Sequence, residues 1–136
     1  MNIYITRRET FSASHRLYNE NFTDEENERV FGKCSNPNGH GHNYILEVVV
    51  KGEPNKNTGY VIDLKILKSI IRENVIKKVD HKNLNIDVDF LKGIIPTAEN
   101  IAIGIWNELK DKIPDAKLYA VKLYETENNY VEYKGE

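Results

Sequence analysis

His40-Gly41-His42-Asn43-Tyr44-Ile45-Leu46-Glu47-Val48-Val49-Val50-Lys51-Gly52 is the stretch on which the fold turns. Tyr44, Leu46, Val48 and Val50 share one parity, as a strand with one buried face requires. Residues 42–52 are therefore expected to be a strand. If the extended segment begins at His40, the imidazoles of His40 and His42 also fall together on one face. Two ligands of one metal need that geometry.

Upstream, residues 3–15 alternate imperfectly, with Ile3, Ile5, Phe11 and Ala13 on one parity. That pattern predicts a strand with a bulge near Arg7-Arg8-Glu9. His15 shares the parity of Phe11 and Ala13, so a neighbouring strand could bring it to His40 and His42. Residues 18–41 are polar and read as a long loop, of the kind that is usually functional in a small domain. Within it, Thr23 followed by Glu26 has capping-box spacing for a short helix over Thr23–Val30. Downstream, Asp63 can cap a helix with an apolar stripe of Leu64, Leu67, Ile70 and Ile71. Thr97, after Pro96, can cap another that buries Ile101, Ala102, Ile105, Trp106 and Leu109. Residues 117–125 alternate again, and a turn at Asn128-Asn129 leads to a last strand over Tyr130–Tyr133.

The order strand, strand, helix, helix, strand, strand predicts an α+β domain, with a four-stranded antiparallel sheet and two helices on one face. Such a sheet leaves two bare edges. Assembly into a barrel of several subunits would cover them, so a homo-oligomer is expected.

Composition fits one domain over residues 1–136, long enough to bury a core. Hydrophobic residues make up 40% and charged residues 29%, a soluble globular balance. A net charge of -2 gives no electrostatic footprint for nucleic acid or an anionic membrane. The single cysteine excludes an internal disulfide. No segment approaches the roughly 20 apolar residues of a membrane span, and the polar N-terminus lacks a signal peptide's apolar core. A cytoplasmic protein is the expectation.

His15, His40 and His42 would give a neutral nitrogen set suited to Zn²⁺, with the fourth tetrahedral position open as in catalytic sites. A His-x-His pair alone does not specify a metal; the combination with His15 carries the reading. Cys34 has two readings. One is a small buried hydrophobe. The other is a base whose thiolate is favoured by Lys33 or a nearby metal. Asp80-His81 reads either as a carboxylate tuning a histidine or as a solvated loop pair. Glu125, at the end of a strand, can accept a ligand's paired N–H donors or simply face water.

Together these residues resemble the 6-pyruvoyltetrahydropterin synthase family, which includes the 6-carboxytetrahydropterin synthases. The carriers are Phe11-Ser12-Ala13-Ser14-His15-Arg16 and Phe31-Gly32-Lys33-Cys34-Ser35-Asn36-Pro37-Asn38-Gly39-His40-Gly41-His42-Asn43-Tyr44. Asp80-His81-Lys82-Asn83-Leu84, Pro96-Thr97-Ala98-Glu99-Asn100 and Tyr124-Glu125-Thr126 complete the set. The resemblance covers nearly the whole chain. It implies the tunnelling fold (T-fold), in which trimeric barrels stack as hexamers. It implies zinc on His15, His40 and His42, Cys34 as catalytic base, and Asp80 and His81 completing a proton relay across a subunit boundary. Glu125 is then the anchor of the pterin's amino-pyrimidine edge, and Thr97 and Glu99 lie near the pterin pocket.

The implied substrate is 7,8-dihydroneopterin triphosphate. The long Cys-x5-His-Gly-His spacing resembles the pyruvoyl-forming branch, which eliminates triphosphate. The queuosine-pathway branch usually has Cys-x3-His-Gly-His and also releases acetaldehyde. Arg16 and Lys33 are candidates for the triphosphate or are solvated charges, and Mg²⁺ assistance stays open. Two further readings are an aldolase acting on unphosphorylated dihydroneopterin and a non-enzymatic pterin- or metal-binding module.

Overall fold

A computed structural model describes the whole chain, Met1–Glu136. Strand β1 (Ile3–His15) is followed by helix α1 (Asp24–Phe31), a 3-10 turn (Gly32–Ser35) and β2 (His40–Gly52). Helix α2 (Leu64–Ile71) runs through a π turn (Arg72–Ile76) into the short α3 (Lys77–Val79). Then come β3 (Lys82–Asn83), a 3-10 turn (Asp89–Leu91), α4 (Ala98–Leu109), β4 (Lys117–Thr126) and β5 (Asn129–Tyr133).

The α+β class and the helix-backed sheet are as expected, but the sheet has five strands in the order β3-β1-β2-β4-β5. The additional strand is β3, which pairs parallel to β1 at Ala13 and Ser14 only. Two residues carry no periodic pattern, so nothing in the sequence marks it as a strand. The bulge expected near Arg7–Glu9 is also absent. The β1–β2 register runs unbroken from Ile3↔Gly52 to His15↔His40. The irregularities lie instead at Val49/Val50 against β4 and at Tyr124/Thr126 against β5. The weak alternation of β1 has another cause. Glu9 occupies an inward position and is buried, held by Arg7 and Arg72.

All three expected caps form. Thr23 and Glu26 make a reciprocal capping box, Asp63 accepts from the Lys65 amide, and Thr97 accepts from the Asn100 amide. The second helix extends beyond the stripe read from the sequence. Its buried residues are Leu67, Ile71, Val75 and Val79, whereas Leu64 is exposed. Steps of four in an α-helix drift by about 40° each. The wider π turn at Arg72–Ile76 offsets that drift and keeps the last two on the core side.

These residues pack with Ile101, Ile105 and Leu109 of α4 against the inward row Phe11, Ala13, Tyr44, Leu46, Val48, Val50, Val121 and Leu123. The helices thus cover one face of the sheet. The opposite face carries charge pairs such as Arg8–Glu47 at 3.1 Å. No helix is long and apolar enough to cross a membrane.

Candidate metal centre and its surroundings

The inward rows of β1 and β2 end in histidines. Register places His15 opposite His40, with His42 two residues along the same face. Strand pairing thus brings three imidazoles to the open end of the core layer. Their ligand atoms all lie within 4.8 Å of one another. His15 Nε2 and His40 Nε2 are 3.2 Å apart. Two nitrogens bound to one tetrahedral zinc, with bonds of about 2.1 Å, would lie about 3.4 Å apart. The donor set therefore fits an ion of that size.

Protonation agrees. His15 Nδ1 donates to the Pro96 carbonyl at 2.9 Å, which leaves Nε2 unprotonated toward the cluster. Burial lowers the pKa of His15; the Pro96 carbonyl and Glu125 oppose this, and the charges of His40 and His42 reinforce it. Burial likewise lowers that of His42 against the pull of Glu125. Both rings are thereby held neutral, as metal ligands must be. His42 Nε2 is buried and has no hydrogen-bond partner in the protein. An orphaned buried nitrogen is costly, and a metal ion would satisfy it. His15, His40 and His42 could hold a metal ion.

Two residues support the cluster in ways that their sequence patterns do not announce. Pro96, whose carbonyl orients His15, precedes a helix cap and lies in one of the motifs that carry the resemblance. Tyr44 has the parity of a core residue and closes another of those motifs. Its ring stacks on Phe11 at 4.8 Å, while its hydroxyl lies 3.4 Å from His15 Nδ1. Burial pushes that hydroxyl's pKa far up, and the charges of Glu125 and Cys34 add to the effect. Tyr44 therefore stays protonated. An inward tyrosine at the ligand-bearing end of a strand was the available signal.

The glycines around the histidines act differently from a simple absence of bulk beside an ion. A side chain at Gly41 would meet only ordinary contact with the Ala13 carbonyl at 3.6 Å. Gly39 has φ +71, and a Cβ there would sit 2.9 Å from the His15 carbonyl oxygen. It is needed for the backbone turn that delivers His40 to β2. Gly39→Ala should accordingly destabilise the protein by about 1–3 kcal/mol and weaken metal retention. Chemical denaturation alongside metal analysis checks this; an unchanged midpoint with full metal would refute it.

Cys34 lies half-buried in the 3-10 turn. Its carbonyl accepts from the Leu17 amide at 2.8 Å, and Arg16 Nε donates to the Ser35 carbonyl at 2.8 Å. The cysteine loop is thus tied to the chain just after His15. Arg16 also lies over the Tyr18 ring at 4.0 Å, so its guanidinium is already engaged. Lys33 shares an open, mixed-charge cavity with Arg16, Asp24 and Glu28.

Asp80 and His81 lie at the outer edge of β1. His81 has φ +60, and this left-handed turn brings Nδ1 to 3.1 Å from Asp80 Oδ1. Neighbours in an extended chain would have pointed apart. The Ser12 amide donates to Asp80 Oδ1 at 3.0 Å. That bond, with His81 nearby, holds the Asp80 carboxyl below its ordinary pKa against a smaller opposing effect of burial. Asp80, His81 and Glu125 line one open cavity of about 850 Å³. Glu125 Oε1 is 3.4 Å from His42 Nε2. No hydrogen bond or ion pair joins Cys34 to Asp80 or His81 within the chain. Thr97 is half-buried and Glu99 exposed at the start of α4, directly after the Pro96 carbonyl that holds His15.

A helix-backed sheet whose strand ends converge three imidazoles, with a carboxylate at their rim, defines an α+β protein that could hold a metal ion beside an open cavity. Comparison with known proteins narrows this class. Residues 4–136 match the family model described as 6-pyruvoyl tetrahydropterin synthase. A human 6-pyruvoyl tetrahydrobiopterin synthase is 51% identical over 97% of this chain and 91% of its own length. A 6-carboxy-5,6,7,8-tetrahydropterin synthase of Rickettsia typhi is 31% identical over 96% of this chain and 99% of its own. The solved structure of the Caenorhabditis elegans 6-pyruvoyl tetrahydropterin synthase superposes with a TM-score of 0.94. It is 42% identical, over 100% of this chain and 97% of that one. The chain belongs to the 6-pyruvoyl tetrahydropterin synthase family and is a lyase of pterin biosynthesis.

Proposed function

We propose that the protein is a zinc-dependent lyase. It converts 7,8-dihydroneopterin triphosphate to 6-pyruvoyltetrahydropterin with release of triphosphate. The observation that carries this is the three-histidine cluster with its orphaned His42 Nε2, set within a chain 51% identical to the human synthase. Zinc is favoured over harder cations by an all-imidazole donor set. Bound there, zinc would supply Lewis-acid polarisation of the substrate's side-chain oxygens.

The protein's own groups do the rest. The carboxylate of Glu125 accepts the paired N–H donors of the pterin and fixes the ring beside the histidines. Thr97 and Glu99 border that pocket. Cys34 takes the proton from the substrate side chain, and the Asp80–His81 pair returns one. Since Cys34 has no contact with that pair within one chain, the relay is assembled between subunits. The outer edge of β5, and that of β1 before Ser12, lack strand partners and support association through sheet edges into barrels, as a hexamer built from two trimers. One core cluster spans β1 through β5, which supports a single domain over residues 1–136. Mg²⁺ would accompany the triphosphate rather than the histidines, being a hard ion that prefers oxygen. A cytoplasmic location fits a chain whose only cysteine is free.

The second reading is the 6-carboxytetrahydropterin synthase reaction, favoured by the 31% identity to the Rickettsia typhi protein. Incubation with 7,8-dihydroneopterin triphosphate, followed by mass spectrometry, separates the two. The expected products are 6-pyruvoyltetrahydropterin and triphosphate. Stoichiometric acetaldehyde would transfer the assignment to the carboxy-forming reaction. Tight zinc without turnover would leave only a binding module.

A further inference from the structure

The Asp80–His81 pair sits at the end of a helix whose phase is set by a π turn and whose register is tied to β1 at a second point. At the far point, Arg72 Nε donates to Glu9 Oε1 at 2.8 Å, while Arg7 Nε donates to Glu9 Oε2 at 2.8 Å. At the near point, the Ser12 amide donates to Asp80 Oδ1 at 3.0 Å and the His81 amide donates to the Ser12 carbonyl at 2.6 Å. Both edge-facing groups of Ser12 are therefore taken by the dyad's own residues.

The two ties are commensurate. Glu9 and Ser12 are three positions apart, about 10 Å along a strand. Arg72 and Asp80 are eight positions apart, about 12 Å along a helix. Arg72 opens the π turn, so its side chain is fixed at the residue where the helix changes phase. One extra residue in a helical turn rotates everything after it by about 100°. Asp80 reaches Ser12 only with that rotation in place. Glu9 is 7% exposed, and its burial alone would favour the neutral acid. Hydrogen bonds from Arg72 and Arg7, with their charges, outweigh this and keep the carboxylate ionised.

We propose that Arg72, through Glu9, is a positioning residue that holds the π turn in phase and so aims Asp80 and His81 for catalysis. The proposal rests on the dyad role given above. It assigns a function to a charge cluster built on the buried Glu9 that touches neither the histidines nor the open cavity beside Glu125.

A double-mutant cycle tests it. The protein with Arg72→Met, the protein with Asp80→Asn and the double variant are compared for kcat, KM, metal content and thermal midpoint. Arg72→Met should lower kcat roughly 10-fold with KM within about 2-fold and metal unchanged. On the Asp80→Asn background it should cost almost nothing further, because the group it aims is already disabled. Arg72→Lys, which keeps a cation for Glu9, should recover most of kcat. An impaired Asp80→Asn protein in which Arg72→Met still costs its full factor would overturn the positioning role alone. An unimpaired Asp80→Asn protein would overturn the dyad reading, and this inference with it. If Arg72→Met does not fold, Glu9→Gln takes its place in the same cycle, since it weakens the bonds of Arg72 and Arg7 to Glu9 without emptying the site.

Discussion

Replacing His42 by alanine should yield a folded protein that no longer retains a stoichiometric metal and turns over at least ~10²-fold more slowly. The size follows from the chemistry being removed. Lewis-acid stabilisation of developing charge is worth several kcal/mol, and each 1.4 kcal/mol is about tenfold in rate. His42 is the clean ligand to remove. Its Nε2 makes no hydrogen bond in the protein, and its one charged neighbour, Glu125 at 3.4 Å, is partly exposed, so truncation leaves no newly buried unsatisfied group behind. His15 differs, because it is 1% exposed and its loss would strand the Pro96 carbonyl and open a cavity. His15→Ala should therefore lose stability as well as metal. Elemental analysis with a steady-state assay checks the His42 variant; stoichiometric zinc would remove His42 from the ligand set.

Cys34→Ala should lower kcat by on the order of 10²- to 10⁴-fold while metal content stays at the wild-type level. The two readouts separate because Cys34 is outside the three-histidine cluster. Its backbone carbonyl, which accepts from Leu17, is kept in the variant, so the loop should hold its place. Cys34→Ser should fall almost as far, since a serine hydroxyl is a much poorer source of anion near neutral pH. Full activity in the alanine variant would end the base assignment, and loss of metal would show that the loop supports the histidines instead.

The main strands, the caps and the metal candidates could be read from the chain because each rests on a short-range rule. Parity aligned Tyr44, Leu46, Val48 and Val50, and the same parity carried His40, His42 and His15 to one face. Thr23, Asp63 and Thr97 announced helix starts through local chemistry. What stayed hidden depends on tertiary partners. The two residues of β3 are a strand only because β1 offers an edge there. Val75 and Val79 stay on the core face only because a π turn corrects the helix phase. Glu9 broke the alternation of β1 and imitated a bulge, since its partner Arg72 lies far along the chain. The contact of His81 with Asp80 needs a positive φ that no residue type there demanded. No hydrogen bond or ion pair joins Cys34 to that pair within the chain, so the proposed relay would have to form between subunits.

The register pair His15↔His40 marks both ends of the segment that contains Cys34. An ion shared by these histidines would therefore act as a clasp at the neck of that segment, much as a crosslink closes a loop. Metal occupancy and the integrity of the cysteine turn then become one property rather than two. Stripping the ion should fray the neck first and expose residues 16–39 to proteases before the rest of the sheet yields. The same event that removes the Lewis acid would unseat the base, so a partly metallated preparation should contain fully competent and fully idle sites, with little in between.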